Sequence, residues 1–306
     1  MSSSASRADP RGHPLIPRET KYGLFFVSPS ILFFLVFWIA PVVLALYYSL
    51  TNWKIGPNAT LVGLKNYADL LIDPRFRQAT LASAELTGLA VASTVLLALG
   101  LAVLLNDDGL PGNRLFKLLI ILPVVTDWVA TGLVWQLVFL PNRGVLPGLF
   151  SLVGLRAWMG LGWTSTSSLA PMAIALFIIW KTTGLYAIIF LAGLKGIPRH
   201  FAEAAVVDGA NDWQVFRQIT LPLLRPISVF VVVTAFVTTV GLFEPVFMLT
   251  GGGPADATRV LPIFLYETFF QFHNGGYASA AGVLFLLLCL AFAFGAARVM
   301  RYSFYE

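Results

Sequence analysis

GIPRHFAEAAVVDGANDWQVFRQITLPLLRP, residues 196–226, lies between two apolar runs, too polar to cross a bilayer and too patterned to be slack chain. Pro198 can start a helix. Phe201, Ala204, Ala205 and Val206 give that helix a small, partly apolar face, and Asp208-Gly209 is a turn signal that ends it. Asn211 or Asp212 can cap a second short helix, in which Trp213, Phe216 and Ile219 share one face. Pro222 and Pro226 close the element before the next apolar run. Aromatic side chains held in water form a costly patch, so this helix–turn–helix packs either on its own chain or against another protein.

Working outward, the surroundings are strongly apolar. The 306 residues are 58% hydrophobic and 11% charged, and the mean hydropathy is +0.80. A soluble domain is roughly 45–50% apolar and about 25% charged, so the bilayer is the solvent here. Apolar runs fall near 24–50, 82–105, 115–140, 169–194, 227–250 and 277–298. Each can cross about 30 Å of hydrocarbon, and only as a helix, because lipid offers no partner for open backbone groups. The expected fold class is all-α: a polytopic membrane protein with about six spans. Pro29, Pro41 and Pro123 lie inside spans and should kink them. VLPIFLYETFFQF, 260–272, is short and contains Glu267, which makes it an interfacial or outward-facing helix rather than a span. Residues 1–21 have the composition of a disordered tail, residues 22–300 form the membrane domain, and 301–306 a short second tail. The run at 24–50 is too long for a signal-peptide core, so it is a retained first span.

The net charge is +5, yet Lys and Arg form no cluster or stripe of the kind that binds nucleic acid. They sit between spans. With six spans, Arg7, Arg11, Arg18, Lys21, Arg114, Lys117, Lys195, Arg199, Arg217, Arg225, Arg298 and Arg301 share one side, twelve in all. Lys54, Lys65, Arg75, Arg77, Arg143, Arg156 and Arg259, seven in all, share the other. The positive-inside rule then places both termini in the cytoplasm. Cys289 is the only cysteine and lies in an apolar run, so no intrachain disulfide forms.

Within the opening stretch, Glu203, Ala204, Ala205, Asp208, Gly209, Ala210, Phe216, Ile219 and Pro222 match the EAA loop of permease subunits in binding-protein-dependent ABC importers. GLKNY at 63–67, TGGGP at 250–254, Arg114, Leu122, Pro123, Trp135, Trp180, Gly184 and LAGLKGIP at 191–198 extend the match over about residues 22–300. The chain therefore resembles the maltose- and glycerol-3-phosphate-type carbohydrate permeases, which have the MetI-like fold. TGGGP looks more like the first of the two permeases such systems encode. The resemblance implies a coupling helix that sits in a cleft of a cytoplasmic ATPase subunit, with Glu203, Gly209 and Trp213 among the coupling residues. It implies further partners: a second permease, two ATPase subunits, an extracytoplasmic solute-binding protein and membrane lipid. No cofactor belongs to this chain, and ATP and magnesium would sit on the ATPase partners. In agreement, no phosphate-loop motif occurs, and no believable catalytic or metal cluster. His13, His200 and His273 lie in a tail or loops and are read as surface residues.

Charge at membrane depth is a functional hypothesis by default. Asp127 and Lys181 lie about a dozen residues into two oppositely directed spans, so they share a depth and should face the interior. They form either a structural ion pair or part of the solute cavity. Glu244 is a candidate cavity wall or gate, and Glu85 is interfacial. Trp135, Trp180, Tyr186 and Phe243 are candidates to stack on a sugar ring, against the plainer role of packing or anchoring. Two alternatives stay open: a glycerol-3-phosphate or other non-sugar importer, and an ion-coupled secondary transporter, although no internal repeat favours the latter.

Overall fold

The computed structural model describes residues 18–302 apart from residues 55, 57 and 108. Most of the expected N-terminal tail lies outside the described residues, as do residues 303–306 of the C-terminal tail. Arg18 already belongs to helix α1, Arg18–Phe34. A π turn over Leu35–Ile39 joins it to α2, Ala40–Ser49, where the Ala40 amide donates to the Leu35 carbonyl. That turn sits where the ring of Pro41 and its missing N–H disturb the regular ladder. Then follow α3, Lys65–Ile72; α4, Pro74–Asn106; α5, Asn113–Val125; α6, Trp128–Val138; α7, Val145–Leu152; and α8, Ala170–Gly196. The short α9, His200–Val207, α10, Asp212–Val215, and α11, Leu221–Leu223, lead to α12, Arg225–Val240. The chain ends with α13, Glu244–Leu249; α14, Leu261–Tyr266; and α15, Gly275–Tyr302. Among the described residues no strand forms, and a single bridge pairs Thr51 with Leu61.

The centre of the bundle is α4 against α8. Both are lined with small residues, among them Ala90, Ala98 and Ala102 on α4 and Ala173 and Ala187 on α8, all almost fully buried. Small side chains let helices approach closely, which is how association is driven where lipid is as apolar as the helix. The Thr94 and Thr182 hydroxyls meet at 3.4 Å across this seam. Two successive clusters pair early α4 with early α8 and late α4 with late α8, so the two helices run in the same direction. α5 and α12 run the other way: Gly184 of α8 faces Ile120, Gly193 faces Ile227, and α15 stacks Phe292 on Phe236 of α12 at 3.5 Å.

Among the described residues, four helical stretches are long and apolar enough to cross a membrane, or six if two bent pairs count as one span each. The kink expected at Pro123 is a full break. Span three breaks between α5 and α6 with a bend of 105°. Its break falls at Thr126-Asp127, just past Pro123, which denies the last turn of α5 a regular bond. Within the fifth apolar run, α12 ends at Val240, and after Gly241 a second short helix, α13, starts at Glu244-Pro245. At its start, the chain bends by 65° between Asp212–Leu223 and Arg225–Val240. Residues 260–272 do form a short helix and π turn, packed by Leu261 and Phe264 on Leu70 and Phe76. There Glu267 pairs with Arg259 at 2.9 Å. The described side chains before Ala45 in this first apolar run are exposed, while the end of α2 packs on α15 and buries Ser49.

Candidate functional site

The chain presents two distinct places where function can reside: a polar helix–turn–helix at one end of the bundle and a cleft in its flank. The first is α9 to α11. α9 ends at Asp208, and Gly209 takes φ +87°, a left-handed conformation that a side chain resists. Asn211 caps the next helix by accepting from the Gln214 amide at 2.9 Å, while the Gln214 side chain accepts from the Asn211 amide at 2.8 Å. This reciprocal capping box fixes α10 without help from the bundle. A π turn over Phe216–Thr220 then carries the chain to Pro222.

Glu203, Ala204, Asp208, Gly209, Trp213 and Pro222 are exposed, and Ala205, Ala210 and Phe216 are half-buried. Trp213 keeps 65% of its surface open, with its ring 5.8 Å from that of Phe216. No residue of α9 or α10 is buried. The element meets the bundle along a polar groove formed by Asn106, Lys195, Arg199, Ala202 and Thr220, at the end where α4 and α8 finish. Its outer face, with Glu203 and Trp213, is left without cover by its own chain.

The second place is a cleft of about 460 Å³ lined by Thr126, Ala130, Thr131, Val134, Trp135, Val138 and Trp180. The structure thus brings Trp135 and Trp180 together, with ring centroids 5.4 Å apart. Asp127 stands beside it, exposed, at the first turn of α6. Its carboxylate accepts from the Val129 and Ala130 amides at 2.9 and 3.0 Å. Lys181 is buried, and its ammonium donates to the Pro123 carbonyl at 2.9 Å and to the Thr126 carbonyl and hydroxyl at 2.6 and 2.9 Å. Among the described residues no ion pair joins Lys181 to Asp127.

Other candidates fall elsewhere. Tyr186 is 2% exposed inside the α4–α8–α12 core, so it does not line the cleft. It lies on the side of α8 that packs inward, about one and a half turns from Trp180. Phe243 stacks on Phe247 at 4.8 Å and on Tyr266 at 5.2 Å, in an aromatic ladder apart from the cleft. Glu244 begins α13, half-buried, and is likewise not in the cleft wall. Thr126 and Thr131, two hydroxyls in that wall, were not among the sequence candidates. Their signal was present: Asp127 four residues after a proline and before a fresh apolar run is a helix-start pattern.

Comparison with known proteins follows the same lines. Residues 95–301 match the family described as binding-protein-dependent transport system inner membrane component. A probable ABC transporter permease protein of Pyrococcus horikoshii is 34% identical over 275 residues, 89% of this chain and 93% of the relative. The trehalose/maltose transport system permease protein MalF of Thermococcus litoralis is 29% identical over 286 residues, 93% of this chain and 95% of the relative. Among solved structures, a chain of a bacterial alginate ABC transporter, crystallised with a periplasmic protein bound to alginate pentasaccharide, superposes with a TM-score of 0.80 at 22% identity. That match covers 93% of this chain and 96% of the other, and it establishes the fold. The break in span three, the exposed helix–turn–helix and the family match over residues 95–301 agree: this chain belongs to the binding-protein-dependent transport system inner membrane components.

Proposed function

We propose that the chain is one of two permease subunits in an ATP-driven importer of sugars or sugar-like solutes. The observation that carries the reading is the exposed α9–α11 element, rigid by its own capping box and turned away from the bundle. A coupling joint must be stiff, because motion dissipates in a slack one. Its uncovered Trp213 needs a protein surface, and an ATPase subunit seated on Glu203 to Phe216 supplies one. A second permease covers the open flank, and a solute-binding protein delivers cargo at the opposite end, where α4 and α8 begin. Both termini then face the cytoplasm with α9–α11, in keeping with the excess of Lys and Arg on that side.

The transport cycle follows from this arrangement. Closure of two ATPases on ATP moves the α9–α11 element, and through α8 and α12 it tilts the spans. The central path opens outward, receives solute, and resets on hydrolysis. The Trp135–Trp180 cleft, with the Thr126 and Thr131 hydroxyls in its wall, has the mix of apolar ring face and hydroxyl partners that a sugar asks for. A glycerol-3-phosphate-type anion would want a free cation there. Lys181, the basic residue deep in a span, has its three N–H groups directed at Pro123 and Thr126, which favours an uncharged solute. Family membership also sets aside the ion-coupled secondary transporter.

The test is reconstitution of this chain with its partner permease and ATPase in vesicles. Solute-loaded binding protein should stimulate ATP hydrolysis and drive uptake. Uptake that follows an ion gradient without ATP would overturn the reading.

A further inference from the structure

The break in span three leaves two helix ends at membrane depth. At the end of α5 the regular helix bonds stop, and the Pro123 carbonyl accepts only locally, from the Thr126 amide at 3.3 Å and the Thr126 hydroxyl at 2.7 Å; the first amides of α6 have no helical partner. Lipid cannot satisfy them, so protein must. The chain answers with one charge for each end. Asp127 takes the first amides of α6, at Val129 and Ala130. Lys181, reaching across from α8, takes the carbonyls of Pro123 and Thr126 and the Thr126 hydroxyl. An ammonium has three N–H groups, and here there are three acceptors. The signs also suit the helix dipoles, a cation at a C-terminus and an anion at an N-terminus. Each charge serves one side of the same bend.

The surroundings tie this point to the cleft. The Lys181 ammonium lies 4.9 Å from the centre of the Trp128 ring, the first residue of α6. Trp128 in turn rests edge-on against Phe177 at 5.7 Å. One turn beyond Lys181, Gly184 admits the Ile120 carbonyl so closely that no side chain would fit. The far part of α6 is strapped by Gln136, which donates to the Met248 carbonyl. α6 is thus held at its origin by Lys181 and near its end by α13, and the wall residues Ala130, Thr131, Val134 and Trp135 lie between these two fixings.

We propose that Lys181 is the positioning residue of this cleft: its ammonium sets the angle between α5 and α6, and so the placement of the Thr126–Val138 wall against Trp180. It acts through the helix ends and offers no donor to the solute. The inference rests on the transport reading above.

The test uses the full complex with partner permease, ATPases and binding protein, in vesicles, on a Cys289→Ser background with Val134→Cys in the cleft wall. Lys181→Met should assemble and hydrolyse ATP, yet transport at least tenfold less solute per ATP. Maleimide labelling at position 134 should change severalfold, and Lys181→Arg should restore much of both. Solute per ATP and labelling within twofold of the parent for Lys181→Met would overturn the proposal. If Lys181→Met does not assemble, Thr126→Val decides, because it removes one acceptor and leaves the charge. Altered labelling is expected, and unaltered labelling would overturn the proposal. A parent chain that binds no ATPase would overturn the transport reading itself, and this inference with it.

Discussion

The ammonium of Lys181 lies 2.6 Å from the carbonyl oxygen of Thr126, so the middle of one span is bonded to the broken point of another. The helix on either side of that bond is also fixed by a close approach. A Cβ added at Gly184 would lie 1.7 Å from the Ile120 carbonyl oxygen, a backbone atom with no room to yield. Gly184→Ala should therefore force α5 from α8, at a cost of about 1–3 kcal/mol or more. Thermal unfolding of the purified chain in detergent would show it as a lowered midpoint. An unchanged midpoint would mean that the helices are not in contact there.

Gly209 poses the opposite problem. Nothing lies within 4 Å of its added Cβ, but its φ is +87°. Strain of the backbone, not crowding, should decide substitutions there, at about 1–3 kcal/mol for a β-branched residue. Gly209→Val should weaken ATPase association, and Gly209→Asn should be milder because Asn tolerates the left-handed region. Pull-down of the ATPase by each variant measures this. Equal loss for the two would point to sterics instead.

Much of this element was legible because its signals are local. Pro198, Asp208-Gly209 and the Asn211 cap each act within four residues, and the structure places a helix, a turn and a second helix accordingly. The cleft was harder to read. α8 is apolar on every side, so no periodicity says which face meets protein. Trp180 and Tyr186 looked equivalent, yet one is 42% exposed and the other 2%. Matching depth did bring Asp127 and Lys181 into one neighbourhood. The contact itself runs through Thr126: Pro123 marked a kink, but a kink in an apolar run does not say which groups meet the freed helix ends.

At the end where α4 begins, Glu267 is almost buried between Arg259 at 2.9 Å and Arg75 at 3.9 Å. Arg259 also pairs with Asp256 at 2.5 Å, pinning the loop that follows TGGGP. Glu267→Ala leaves a guanidinium poorly partnered in a largely enclosed site, at about 3 kcal/mol or less. Limited proteolysis should cut residues 250–260 faster in the variant. Cleavage at the parental rate would show that the loop is held without this pair.

Trp213 separates docking from folding. It is 65% exposed, so Trp213→Ser should leave the unfolding midpoint within about 1 °C, a surface effect of roughly 0.5 kcal/mol or less. ATPase stimulation by the binding protein should nevertheless fall at least tenfold. A drop in the midpoint with stimulation intact would assign Trp213 to the bundle.

The most direct test is cross-linking from Glu203→Cys, in a Cys289→Ser background, in membranes holding the whole transporter. The account predicts capture of the ATPase subunit, and labelling of position 203 only by reagents that reach the cytoplasmic face. Labelling from the external face, or no ATPase adduct in complexes that still transport, would contradict it.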